Sequence, residues 1–337
     1  LGDKWTATSG NLVLVSGGTL NLDGKLETAT AGDVSLTVTG ACTFTDAKLL
    51  ASAAAATVSC ATATSVGYTI TAVGAVAVTG PWSATGAVSV TSSGSTITLN
   101  DDITTGGTSK DLTINANGAL SFAGNADALT ASGVLTVTAS GATSGAATLT
   151  STGNLVMTLG DKWTATSGNL ALSSAAALNL GGNLETATTG DVTLTVTGAC
   201  TLGDLKTLTS AGGATISCGS TASVGDTVTA AGAVAVTGAW SATGAVSVTS
   251  SGSTITLNDD IATGGTTKDL TISANGALSF ASNADALTAS GVLAVTASGA
   301  TSGAATLTST GNMAMTLGDK WAATSGTLAL VSGGTLN

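Results

Sequence analysis

The sequence predicts an all-β chain wound as a parallel β-solenoid, with about 20 residues per coil and about 17 coils. Three observations carry that reading. The chain repeats itself at several periods, apolar residues alternate with small polar ones, and the composition is that of many short strands.

The repeat is the plainest of the three. LGDKWTATSG opens at Leu1 and again at Leu159, and LGDKWAATSG opens at Leu317, a period of 158 residues. Residues 1–158, 159–316 and 317–337 are a first copy, a second copy and the start of a third, read as one continuous rod. A half-repeat of about 79 residues lies beneath, with WTATSGNLVL at Trp5 answered by WSATGAVSV at Trp82. GTLNLDGKLETATAGDVSLTVTGACTF aligns likewise with STITLNDDITTGGTSKDLTINANGALSF. Turn residues divide each half into shorter segments, one beginning at Thr19, the next at Cys42, the next near Tyr68, so that eight would fill one copy. A segment this short cannot bury its own apolar face and must stack on its neighbours.

Alternation gives the direction of each side chain. Val13 and Val15 become Ala171 and Ser173 in the second copy, whereas Leu12 and Leu14 persist as Leu170 and Leu172. Ser35 becomes Thr193 between Val34, Leu36 and Val38, and Thr136 becomes Ala294 between Leu135 and Val137. Variation of period two is that of strands with one buried face. The predicted core is Leu12, Leu14, Leu20, Leu22, Leu36, Val38, Val76, Val78, Val88, Val90, Ile97, Leu99, Leu112 and Ile114, with their counterparts in the second copy. Outward positions are largely Thr, Ser and Ala. The β-branch of Thr suits a pleated surface, which reconciles a positive mean hydropathy with a water-compatible exterior.

Composition narrows the function. Charged residues are 8% and aromatics 3% of the chain, far below ordinary globular usage, and the net charge is −11. All basic residues are Lys, and there is no Arg or His. No basic stripe exists for nucleic acid or an anionic membrane surface, and no apolar run is long enough to span a bilayer. Leu1 follows neither an initiator Met nor a charged leader, so the chain reads as processed or cut from a longer one. Without His there is no Ser-His or Cys-His pair. Lys110–Asp111 and its copy Lys268–Asp269 read as a charged turn. The expectation is therefore no enzyme, with no catalytic or cofactor-binding residue, no metal and no cofactor.

GNLVLVSGGTLNLDG, STITLNDDITTGGTSKDLTINANGALSFAG and their second copies resemble bacterial surface proteins of the filamentous-haemagglutinin and autotransporter type. The resemblance spans essentially the whole chain and rests on composition and coil length. It implies a right-handed β-helix in a secreted, cell-surface adhesin.

Four sets of residues are candidates for more than packing. Cys42 and Cys60 recur as Cys200 and Cys218. They read either as buried free thiols, acting as small hydrophobes, or as disulfides joining each pair near a corner on neighbouring levels. Asn100–Asp101–Asp102 and its copy Asn258–Asp259–Asp260 read as solvated turns, with Ca²⁺ ligation as the sharper alternative. Trp5, Trp82, Trp163, Trp240 and Trp321 read as corner packing or as exposed platforms for sugars. Thr37 with Thr39, Thr69 with Thr71, and Thr96 with Thr98 form outward Thr-x-Thr pairs like those of ice-binding solenoids. Ser89, Ala75 and Ala77 interrupt them at equivalent-looking places. The expected function is that of an extracellular structural fibre or adhesin stalk, self-associating end to end or laterally. The alternative is an ice-binding or carbohydrate-binding solenoid, and cell surfaces or carbohydrate are the candidate partners beyond the chain itself.

Overall fold

The computed structural model describes residues 4–45, 48–124, 127–203, 207–281, 285–323 and 326–337. The described residues form short strands paired in parallel, with no helix. The fold is a parallel β-solenoid of about 15 turns of roughly 21 residues, fewer and longer than the sequence suggests. The chain forms two compact units, one comprising Leu1–Thr164 with Ser173–Ala176 and the other Ala165–Leu172 with Ala177–Asn337.

In the first unit each turn carries three strands, one on each of three faces. Lys4–Ala7 lies on the first face, Leu12–Ser16 on the second and Leu20–Leu22 on the third; Lys25–Thr28 returns to the first, with Lys4 opposite Lys25. The alternation read from the sequence sets the inside. Leu36 and Val38 in the strand Val34–Phe44 are buried while Thr37 between them is exposed. Each such Leu or Val contributes about 1.5–3 kcal/mol of transfer free energy. Leu12, Leu14 and Leu20 are only half-buried, because they belong to the first turn and are covered from one side. Their counterparts Leu170, Leu172 and Leu178 are fully buried.

The sequence repeat and the turn are out of phase. On the second face the register runs from Leu12 through Val34, Ala56, Val76, Ile97, Leu120 and Thr143 to Trp163, which is seven turns. Trp5, whose copy is Trp163, lies on the first face opposite Leu26. One 158-residue copy therefore winds through seven turns and one further face, not the eight whole turns expected. Trp82, the half-repeat counterpart, lies on the third face between Ala63 and Ile103. The second unit keeps the same internal register, with Val192, Ala214, Val234, Ile255, Leu278, Thr301 and Trp321 in one column.

Corners are closed by side chains that satisfy the backbone. Ser92 ends a first-face strand and Ser151 a third-face one; both point inward and donate to the carbonyls of Gly74 and Gly133, each at 2.7 Å. A buried hydroxyl is tolerated there because a backbone acceptor is already in place.

Candidate functional site

The cysteines sit where a long strand passes a corner without a loop. Val34–Phe44 runs from the second face to the third with a register shift between Val38 and Ala41 against the strand Ala56–Ser65. Cys42 stands just past that corner, opposite Ala63, and Cys60 stands just before it on the next turn, opposite Val38. A disulfide joins Cys42 to Cys60, and another joins Cys200 to Cys218, with Cα atoms 5.9 Å apart in each. All four residues are buried. Each bridge ties two successive turns together at a corner.

The acidic turns are engaged with their own backbone. Asp101 Oδ1 accepts from the Asp102 amide at 2.9 Å, and Asp102 Oδ1 accepts from the Ala128 amide of the next turn at 2.7 Å. Asn100 donates to Thr79 Oγ1 at 3.0 Å. Asp259 and Asp260 repeat the pattern, the latter accepting from Ala286 at 2.7 Å, and Asn258 donates to Thr237 at 2.9 Å. Asp111 and Asp269 accept from the amides of Val134 and Val292, each at 2.8 Å. Asp102, Asp260, Asp111 and Asp269 thus peg one turn to the next. Among the described residues no group of three or more His, Cys, Asp or Glu side chains is placed to hold a metal ion.

The tryptophans correct the exposed-platform reading. Trp82, Trp163 and Trp240 are at most 2% exposed, and each begins or lies within a strand with its ring turned inward. The Trp82 indole N–H donates to Ser65 Oγ at 3.0 Å, and that of Trp163 donates to the Gly145 carbonyl at 2.8 Å. Trp5 is 47% exposed, and it lies in the first turn. Phe44, Tyr68 and Trp82 form an aromatic plug, with ring centroids 4.5–5.4 Å apart. The Tyr68 hydroxyl in this plug is buried without a partner, and burial holds its pKa well above the ordinary phenol range.

The hydroxyl pairs sort onto different faces. On the first face of the first unit Thr69, Ser89, Thr113 and Thr136 form one column, ended by Val156; Thr71, Thr91, Asn115, Thr138 and Thr158 form the next. Ala77 interrupts the second face instead, where it stands between Thr57 and Thr98 in one column. Thr37 is also on the second face, opposite Val15 and Ser59. In the second unit Thr209, Thr229, Thr249, Ser273, Thr296 and Thr316 form an unbroken hydroxyl column. Neighbouring strands are about 4.8 Å apart and alternate outward residues about 7 Å apart, so these columns make a regular two-dimensional array.

An open groove of about 540 Å³ crosses the third face of the first unit, lined by the hydroxyl residues Thr62, Thr64, Ser83 and Thr104, with Pro81 and Asp102. Its carboxylate is the one already holding the Ala128 amide. Two groups escaped the sequence reading: Tyr68, and Asp226 at the same position of the second copy. The signal was the Tyr-to-Asp change at a position that alternation places inward, two residues before Ile70 and Val228.

No protein-family model, no curated protein and no solved structure matches the chain. The resemblance to filamentous-haemagglutinin and autotransporter proteins thus gains no support from them, and the parallel β-solenoid stands on the structure itself.

Proposed function

We propose that the chain is a segment of an extracellular structural fibre or adhesin stalk. Its work on this reading is mechanical, its partners are further copies of itself, and it carries no enzymatic activity. The observation that carries the proposal is the phase difference between repeat and turn. Within the first unit a copy of 158 residues advances seven turns and one face, so the repeat length is not a whole number of turns and is not tied to one face. A repeat not tied to one face suits an element that packs laterally and does not suit a single docking face. A weakly charged, hydroxyl-rich exterior resists lateral association poorly. Negative-stain microscopy of the native material tests the proposal: long uniform filaments are expected, and short isolated particles refute it.

A second reading rests on the hydroxyl columns. Their two-dimensional spacing could order water, which would make the first face of the first unit and the column from Thr209 to Thr316 an ice-binding surface. Thermal hysteresis in dilute solution distinguishes it from the fibre. Sugar stacking on tryptophan has no comparable support, since Trp82, Trp163 and Trp240 are buried.

A further inference from the structure

The two units differ most sharply at one level of their cores. In the first unit Ala63, Phe44, Tyr68 and Trp82 meet there. The same positions in the second unit hold Thr221, Leu202, Asp226 and Trp240. The register is unchanged, with Thr221 opposite Trp240 and Leu202 opposite Ser223. The tryptophan also keeps its place, because its indole N–H donates to Ser223 Oγ at 3.0 Å as that of Trp82 does to Ser65. What changes is the filling. Leu has three fewer side-chain atoms than Phe and Asp four fewer than Tyr, while Thr adds only two to Ala. The deficit is on the scale of one or two water molecules at about 30 Å³ each.

The new walls are polar and unpaired. Asp226 and Thr221 are each 2% exposed; the Thr221 hydroxyl and both carboxylate oxygens of Asp226 lack a hydrogen bond of good geometry, and the Ser223 hydroxyl beside the carboxylate offsets only part of its burial. Leaving such groups bare in an apolar core is unfavourable, most of all for a charge. Water and a proton are the two ligands that remove this cost. Water needs two to four polar partners, and a protonated carboxyl becomes a donor as well as an acceptor.

We propose that Asp226 and Thr221 bound an enclosed polar site in the second unit that holds water and takes up a proton, making this level of the core firmest in mild acid. Among the described side chains the aromatic plug of the first unit has no carboxyl, and it is expected to be indifferent to pH over the same range. Burial pushes the Asp226 carboxyl up to about 6, with the nearby Ser223 hydroxyl opposing part of that rise. A carboxyl whose folded pKa is raised stabilises the fold fully below its unfolded value of 3.8, and that contribution is lost as pH rises through about 6. The strands Val192–Leu202, Ala214–Ser223, Thr227–Ala230, Val234–Ala242 and Val246–Ser250 place no other ionisable side chain against it, their cysteines being bridged. Asp204 and Lys206, which precede Thr207 in the sequence, lie outside the described residues.

Hydrogen exchange on the whole chain, corrected for intrinsic rates, tests this at pH 4.5 and 7.5. Peptides from residues 214–242 should open about 25-fold more often at the higher pH, because pH 4.5 already lies above the unfolded value of 3.8 and part of the linkage is spent there. Peptides from residues 56–84 should not change. Asp226→Asn should abolish the dependence while keeping the protection, and Lys206→Met should leave it in place. A wild-type chain equally protected at both pH values overturns the proposal. So does a dependence that emerges only in Lys206→Met, since the chain's own amine would then be neutralising the carboxylate. A crystal structure near pH 5 should show water within hydrogen-bonding reach of both Asp226 and Thr221, and a dry pocket overturns the hydrated site.

Discussion

Gly80→Ala and Gly10→Ala form a matched pair that isolates the contact between successive turns. The two glycines adopt nearly the same backbone conformation, with φ of 92° and 89°, in the region that L side chains avoid. Conformational strain at such an angle is about 1–2 kcal/mol, offset in part by about 0.4–1 kcal/mol from the stiffer unfolded chain. That sum is common to both variants. Their surroundings differ. Gly10 lies in the first turn, and a Cβ there meets nothing within 4 Å. At Gly80 the new Cβ is driven into the carbonyl oxygen of Cys60, far inside van der Waals contact, at the corner where Cys60 is bridged to Cys42. The two turns must part there, and the backbone rungs beside the corner lengthen or break. We expect Gly10→Ala to cost about 1 kcal/mol or less and Gly80→Ala about 3–5 kcal/mol, within the range of a backbone clash in a core. For a unit of this size that is a fall in Tm of about 6–20 °C, against about 2–4 °C or less for Gly10→Ala. Differential scanning calorimetry of the two variants gives the comparison. Equal, mild effects would refute the stacked corner, since strain alone would then account for both.

Two further predictions concern the first unit's core. Replacing Cys42 and Cys60 by Ala should lower stability by roughly 3 kcal/mol, the loop-closure entropy of a bridge across so short a segment, and a reducing agent should lower the wild-type Tm similarly. Unchanged melting under reduction would show that the bridge contributes nothing. Tyr68 is the chain's one tyrosine, so ultraviolet titration reads it alone. Its folded pKa is raised by burial, so stability present below pH 10 is lost at higher pH, and phenolate should emerge only together with alkaline unfolding. Tyr68→Phe removes a buried hydroxyl that has no partner and should be neutral or stabilising by about 1 kcal/mol. Titration of the folded chain near pH 10 would place the ring in water.

Side-chain direction was legible in the sequence because alternation depends only on local geometry. Leu36 and Val38 persist between copies while Ser35 changes to Thr193, and the structure buries the first two and leaves position 35 half-open. The fate of the tryptophans was less legible. A Trp at the start of a strand is equally compatible with a platform and a plug until the partners above and below it are known, and Phe44 lies 38 residues before Trp82. Asp226 was missed for another reason. Comparing copies to find variable outward positions draws attention away from a variable inward one, and that is where the chemistry changed.

The count of turns was misread for a physical reason that bears on function. Reading eight coils in one copy assumes that a duplication must close on whole turns. Backbone stacking makes no such demand. Each strand needs only an inward alternation that fits the strand of the previous turn, and all three faces supply it. The solenoid's true module is one strand with its corner, and seven turns plus one face make twenty-two of them, a number not divisible by three. Trp82 and Trp163 show that the faces are interchangeable: on the third face and the second, each is buried, donates its indole N–H, and stacks on a phenylalanine at 5.4 and 5.2 Å. A ligand that reads one flat face would favour a repeat that returns to that face at every copy, because any other length rotates the next copy of the site out of reach. A repeat of seven turns and one face shows no such requirement, and freedom of this kind is what a load-carrying element recognised by its neighbours from any side would have.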